Sequence, residues 1–144
     1  MLKGLDPLLG PDLLHVLCAM GHGDELVIAD GNFPAASLAR RLVRLDGVDA
    51  PRALRAILSV LPLDTFTPTP AAVMAVVGDP GAVPEPVRDF QTLVDAAAGR
   101  AVPLEALARF AFYERARAAF AIVATGERRP YGNILLVKGV VLDT

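Results

Sequence analysis

Hydrophobic positions along this chain follow two alternating rhythms. Between Pro11 and Met20, Leu13, Leu14, Leu17 and Met20 share one helical face, and Gly21 is placed to end the helix. Pro11 costs little in the first turn, where an N–H has no helical acceptor. The next run, ELVIAD at 25–30, is apolar on both faces, which predicts a strand covered on both sides, as in a largely parallel sheet. A short helix follows over 34–42, and VRLDG at 43–47 can form a short strand. Over 51–61, Leu54, Ile57, Leu58 and Leu61 make a second inward helical face.

The turn-rich DTFTPTP (64–70) leads into the apolar strand AAVMAVV (71–77), and GDPGAVPEP (78–86) carries the strongest loop signal in the chain. Residues 86–98 read as a helix closed by Gly99. FAFYERARAAF (110–120) reads as another, with Phe110, Phe112 and Phe120 expected in the core. AIVATG (121–126) and NILLVKGVV (133–141) read as strands. Strands and helices alternate throughout. The expected class is therefore α/β, a three-layer α/β/α domain with a largely parallel central sheet, one domain over 1–144.

With 144 residues, 53% of them hydrophobic, the chain can bury a real core. Its net charge of −2 argues against nucleic acid as a partner, which needs a basic face to release counterions. A single cysteine, Cys18, cannot form an internal disulfide and reads as a small core residue in a reducing compartment. No signal-peptide pattern or membrane-length apolar run stands out, so a cytoplasmic location with no membrane partner is expected. The mean hydropathy of +0.46 is high for a monomer of this size, and points to apolar surface shared between subunits.

Several polar groups sit where scaffolding has no use for them. His22 lies between Gly21 and Gly23 after a helix end, and both that end and Asp24 favour an imidazolium suited to proton donation near neutral pH. The same glycines also fit a plain helix cap carrying a solvated histidine. Asp30 ends a buried strand, where α/β sheets bind ligands, and a carboxylate there can accept two sugar hydroxyls. Asp-Gly is equally a turn pair. Arg109, Tyr113, Glu114 and Arg117 fall at helical spacings, as a site stripe or a solvated ion-paired face. In RRPYGN (128–133), Tyr131, Gly132 and Asn133 enter a strand and can aim a hydroxyl at a site or make a turn. Two histidines, His15 and His22, and one cysteine are too few for a zinc site, and His15 should face solvent. No glycine-rich phosphate cradle or GxSxG elbow occurs.

Taken together, GHGDELVIADGNFP (21–34), LPLDTFTPTPAAVMAVV (61–77) and RFAFYERARAAFAIVATGERRPYGNILLVKG (109–139) resemble the fucose mutarotase and ribose pyranase family, in order and over nearly the whole chain. The FAFYERA and YGNILL segments and Gly-His-Gly-Asp favour the fucose branch. The resemblance implies a cofactor-free isomerase that interconverts the α and β anomers of a free sugar, L-fucose in that branch. It also implies self-association, ring-shaped decamers being typical of bacterial members. His22 matches the family's catalytic histidine, and Asp30, Arg109, Tyr131, Gly132 and Asn133 match its substrate-binding positions. Asp24 and Tyr113 lie inside matching motifs. The implied mechanism has His22 donating and retrieving a proton with Asp24 tuning it. Asp30, Arg109 and Tyr113 would hold the sugar, and Tyr131 and Asn133 would orient or relay at the anomeric centre. D-ribose pyranase activity and non-catalytic sugar binding are the competing functions.

Overall fold

The structure, a computed structural model, describes residues 1–143. Its elements in chain order are α1 (Pro11–Ala19), β1 (Glu25–Ala29), α2 (Ala35–Leu38), β2 (Leu42–Leu45), α3 (Ala50–Leu58), β3 (Ala71–Met74), α4 (Glu85–Ala98), β4 (Glu105–Leu107), α5 (Arg109–Ala118), β5 (Ala121–Thr125) and β6 (Ile134–Val137). One six-stranded sheet runs in the order β2-β5-β1-β6-β3-β4. β1 is parallel to β5, β5 to β2 and β3 to β4, while β6 runs antiparallel to both β1 and β3. Five strands therefore point one way and β6 alone returns.

Side chains of the central strands alternate between two apolar layers, as the pleat requires. Leu26 and Ile28 of β1, Val73 of β3, Val123 of β5 and Leu136 of β6 face α1, α3 and α4, packing on Leu13, Leu54, Ile57 and Phe90. Val27, Ala29, Ile122 and Leu135 face α2 and α5, packing on Phe112 and Ala116. The three-layer α/β/α expectation holds. Fully burying a side chain such as Phe90 or Phe112 stabilises the fold by about 1.5–3 kcal/mol. Helix starts are set by the sequence: Asp49 accepts from Arg52 N at 2.8 Å ahead of Pro51, and Pro86 sits in the first turn of α4, which Gly99 ends.

Four local features differ from the sequence reading. β4 forms at the sheet edge from Glu-Ala-Leu, paired only to β3. α2 is four residues long, because the chain turns extended by Leu42 to pair with β5. Cys18 is exposed rather than in the core, since it lies one position past Leu17 and so about 100° off the buried face of α1. Phe110 is 70% exposed while Phe112 is buried; two residues apart on a helix, they cannot face one core.

Strand direction decides where chemistry can gather. The carboxyl ends of β1, β3, β4 and β5 and the entry to β6 all lie along one edge of the sheet. The approach to β1, the approach to β3 and the exit of β6 lie along the other.

Candidate active site

Beyond the carboxyl edge, Asp30, Asn32, Arg109, Tyr113, Tyr131 and Asn133 line an open cleft of about 340 Å³ with Phe33, Met74, Val77 and Pro130. That size is within the ~300–1,000 Å³ of small-molecule sites, and the mixed polar and apolar lining suits a sugar. Asp30 follows β1 and is buried. Its Oδ1 accepts from Asn32 N at 3.0 Å and its Oδ2 from Gly132 N at 3.2 Å, while its own N–H donates to Asn133 Oδ1 at 2.8 Å. Burial pushes the Asp30 carboxyl above the usual aspartate range, opposed by the backbone donors of Asn32 and Gly132.

Tyr131 occupies the left-handed region at φ 60°, an uncommon conformation for an aromatic residue. Its hydroxyl oxygen accepts from Val77 N at 3.1 Å, so the phenol is pinned across the mouth of the cleft with its proton still to donate. Gly132 has no room for a side chain: a Cβ there would sit 2.7 Å from Glu127 Cγ and 3.2 Å from Arg129 O. The missing Cβ lets the Gly132 N–H reach Asp30. Arg109 opens α5, with its guanidinium 4.8 Å from the Phe110 ring centre and 5.8 Å from that of Tyr113. Among the described residues it forms no ion pair, which leaves a hydrogen-bond fork beside a carboxylate. Tyr113 is held edge-on by Phe33 at 5.5 Å. Glu114, the next position in the stripe, pairs instead with Arg117 at 3.7 Å in solvent.

Behind Tyr131, the β5–β6 loop is braced by two residues that the sequence reading passed over. Buried Glu127 receives Arg129 Nε at 2.9 Å and Nη2 at 3.1 Å, and its Oε2 also accepts from Ala50 N at 3.2 Å at the start of α3. Arg129 Nη1 continues to Asp89 at 2.9 Å on α4. The guanidinium holds the Glu127 carboxyl below the usual glutamate range, against the opposing effect of burial. The only sequence signal was a charged ERR directly before PYGN.

His22 and Asp24 are at the opposite edge. His22 Nε2 lies 3.0 Å from Asp64 Oδ1, with the Phe66 ring 5.0 Å away and a hollow of about 570 Å³ alongside. Asp24 does not meet the imidazole; its Oδ2 accepts from Gly21 N at 2.7 Å and so closes the turn that carries His22. Asp64 is absent from the sequence-based site, although its segment lies within one of the stretches that carry the family resemblance. β1 spans five residues and separates His22 from Asp30 by about 16 Å of extended chain. One chain thus assembles Asp30, Arg109, Tyr113, Tyr131, Gly132 and Asn133, and holds His22 and Asp24 elsewhere. Among the described residues no helix is long and apolar enough to cross a membrane, and no cluster of three metal-ligating side chains occurs.

A mostly parallel α/β sheet, with a polar cleft past its strand ends at the turn from β1, is a fold of the small-ligand-binding kind. The sequence pattern of the RbsD / FucU transport protein family matches residues 3–141. The chain belongs to that family. It is 48% identical to the fucose mutarotase of Homo sapiens, over 97% of this chain and 94% of that protein. The crystal structure of the fucose mutarotase from Streptococcus pneumoniae in complex with L-fucose superposes with a TM-score of 0.91 at 42% identity, covering 98% of this chain and 100% of that one. The structure of Bacillus subtilis RbsD complexed with D-ribose shares the fold at a TM-score of 0.73 and 20% identity, covering 99% and 100%.

Proposed function

We propose that this chain, as one domain over 1–144, interconverts the α and β anomers of L-fucose by acid–base opening and closing of the ring. The observation that carries the reading is the cleft itself. A buried carboxylate, a phenol with its proton free and a guanidinium that forms no ion pair among the described residues converge there in a sugar-sized space. Near-half identity to a fucose mutarotase over almost the whole chain supports the same substrate. D-ribose pyranase activity has less support, since the ribose-bound relative shares only 20% identity and so speaks for the fold alone.

In the proposed reaction His22 works in the reverse order from the donation expected from sequence: it takes the proton from the anomeric hydroxyl as the bond between C1 and the ring oxygen breaks, and gives it back on closure. The bond's electron pair goes to the ring oxygen, which receives a proton from the Tyr131 hydroxyl, and an aldehyde results. Rotation about the C1–C2 bond and closure on the other face return both protons. Asp30 and Arg109 hold sugar hydroxyls, Tyr113 walls the cleft, and the Gly132 N–H and the Asn133 side chain keep Asp30 aimed. Asp24 serves by shaping the His22 turn. No cofactor enters this scheme.

Because His22 stands at the far edge of its own subunit, the reading requires a second copy to bring it to the cleft. Both edges carry the apolar surface such a contact needs. Phe66, 75% exposed, and Val141 flank His22, while Val77 and Phe110 flank the cleft. A contact between unlike edges is heterologous, and closes into rings when the rotation permits. A ring-shaped decamer, in the cytoplasm where an unpaired cysteine is at home, completes the proposal.

Magnetization-transfer NMR between the anomeric protons of L-fucose tests the activity. Wild-type protein should accelerate exchange, and folded His22→Ala should lose about 10²-fold or more of that acceleration, the usual scale of general acid–base catalysis. Equal rates in the two proteins would remove His22 from the reaction.

A further inference from the structure

His22 sits in the middle of the turn from Gly21 to Asp24 that joins α1 to β1. Two contacts close that turn on itself: Asp24 N donates to Gly21 O at 3.1 Å, and Gly21 N to Asp24 Oδ2 at 2.7 Å. Neither ties it to the body of the protein. That tie comes from Lys138, the residue just past β6. Gly23 N donates to Lys138 O at 2.8 Å and Lys138 N to Asp24 O at 2.9 Å, which carries the β1–β6 pairing one step beyond Glu25 and Val137. Gly23 stands at φ 86°, a conformation that lets its N–H meet Lys138 and would strain a residue with a side chain.

The Lys138 side chain holds the other arm of the same turn. In a helix continued past Ala19, Leu17 O would receive Gly21 N, but that N–H is taken by Asp24. Lys138 Nζ supplies the missing donor, at 2.8 Å from Leu17 O and 2.5 Å from Met20 O. α1 has no basic residue in its own last turn, so Lys138 also brings the positive charge that a helix C-terminus favours. Lys138 itself has little freedom. Leu63 bridges to it, Gly139 N donates to Pro62 O at 2.8 Å, and a Cβ on Gly139 would lie 2.5 Å from Leu63 O. His22 and Lys138 line the same hollow of about 570 Å³.

We propose that Lys138 is a positioning residue for the reaction. Its backbone grips the exit of the His22 turn and its ammonium the entry, so the imidazole is presented to the partner copy's cleft from one fixed place. Proton transfer needs its heavy atoms within about 2.6–3.2 Å, and a misplacement of about 1 Å can cost about 10²-fold in rate. Asp64 and Phe66 touch the ring, but the place from which the ring reaches is set by the turn, and the turn by Lys138. Lys138 meets neither the sugar nor the reacting atoms in this scheme. The inference rests on the catalytic reading of His22 and adds what fixes that histidine in space.

Lys138→Met tests it, because it keeps an unbranched stem in the hollow and the backbone bonds, and removes the ammonium. Folded and of wild-type assembly size, it should lower kcat for L-fucose anomer interconversion about tenfold or more, with KM within about twofold. Lys138→Arg, with charge and donors restored, should recover most of kcat. Wild-type kcat in Lys138→Met, or a raised KM with kcat unchanged, overturns the proposal. Amide hydrogen exchange gives a readout free of catalysis. In Lys138→Met the amides of Gly21 and Gly23 should exchange about tenfold or more faster, with those of Val27 and Ile28 at wild-type rates. Unchanged amide exchange in the turn overturns the proposal as well. Should Lys138→Met fail to fold, Lys138→Gln, a neutral residue of similar length, is judged by the same two measurements. If wild-type protein does not accelerate anomer interconversion, the functional reading falls and this inference with it; wild-type kcat in Lys138→Met beside an active wild type is the failure of this inference alone.

Discussion

His22 and Asp30 stand at opposite ends of the same strand, β1. His22 is pinned to Asp64 at the amino edge of the sheet, and Asp30 to Gly132 and Asn133 at the carboxyl edge. The strand between them is buried on both faces and cannot bend to bring them together. A single subunit therefore offers His22 at one end and the cleft, with Asp30 and Tyr131, at the other. Any reaction needing both has to be performed between subunits.

That geometry makes a prediction about mixtures. His22→Ala and Asp30→Ala should each be inactive alone, because every site lacks one half. Unfolded together in equal amounts and refolded, they should recover about a quarter of wild-type anomer exchange, since random head-to-tail pairing leaves that share of sites intact. Light scattering on the same sample should show the wild-type assembly size. No recovery in a mixture of wild-type size would rule out sites shared between copies.

Asp30 also predicts a pH signature. Burial raises its native carboxyl above the roughly 3.9 of an unfolded aspartate, so between those two values the folded protein holds more protons than the unfolded chain. Stability must then fall as pH rises through that window. The Asp30 contribution is fully present below the unfolded value and is lost above the native one. Asp30→Asn does not titrate, so the melting temperature of wild type minus that of Asp30→Asn should shrink as pH goes from about 3 to about 7. Catalysis should be depressed in Asp30→Asn throughout. A gap that stays constant or widens with pH contradicts the burial argument.

What could be read from the sequence follows a physical divide. β1, β5 and β6 are visible because strands covered on both sides are apolar at nearly every position, Glu25 and Thr125 being the polar ends. α4 was visible because Pro86 and Gly99 punctuate it. β4 was not, because three residues carry no period and only the free edge of β3 makes them a strand. Phe110 was misplaced although its spacing from Phe112 held the answer, since a 100° turn per residue sends the two to nearly opposite sides of α5. The cleft was largely legible: Asp30, Arg109 and Tyr131–Asn133 each flank an element that the pattern reveals. The partner of His22 was not. Asp24 is its neighbour in the chain, but folds back to Gly21; Asp64 arrives from 42 positions away in a turn of threonines and prolines. Short local range is what a sequence shows, and pairings carried by the sheet lie outside it.

Glu127 should behave oppositely to Asp30 although the two carboxylates brace the same loop. Arg129 and the backbone donors hold the Glu127 carboxyl below the roughly 4.3 of an unfolded glutamate, despite burial. The unfolded chain therefore binds its proton first, and the Glu127 share of stability is present above the unfolded value and lost as pH falls through the native one. Glu127→Gln keeps the shape and an acceptor but gives up charge-assisted bonds to Arg129, which still reaches Asp89. At pH 7 it should unfold in urea with about 1.5–3 kcal/mol less stability than wild type, the scale of a hydrogen bond to a charged group. The difference should shrink as pH falls below about 4.3 and go on shrinking through the lowered native value. Because Gly132 packs against the Glu127 side chain, the loosened loop should also release Tyr131 and Asn133 and raise KM for L-fucose. Equal stability at pH 7 would show that the ion pair is idle and that packing alone holds the Tyr131 loop.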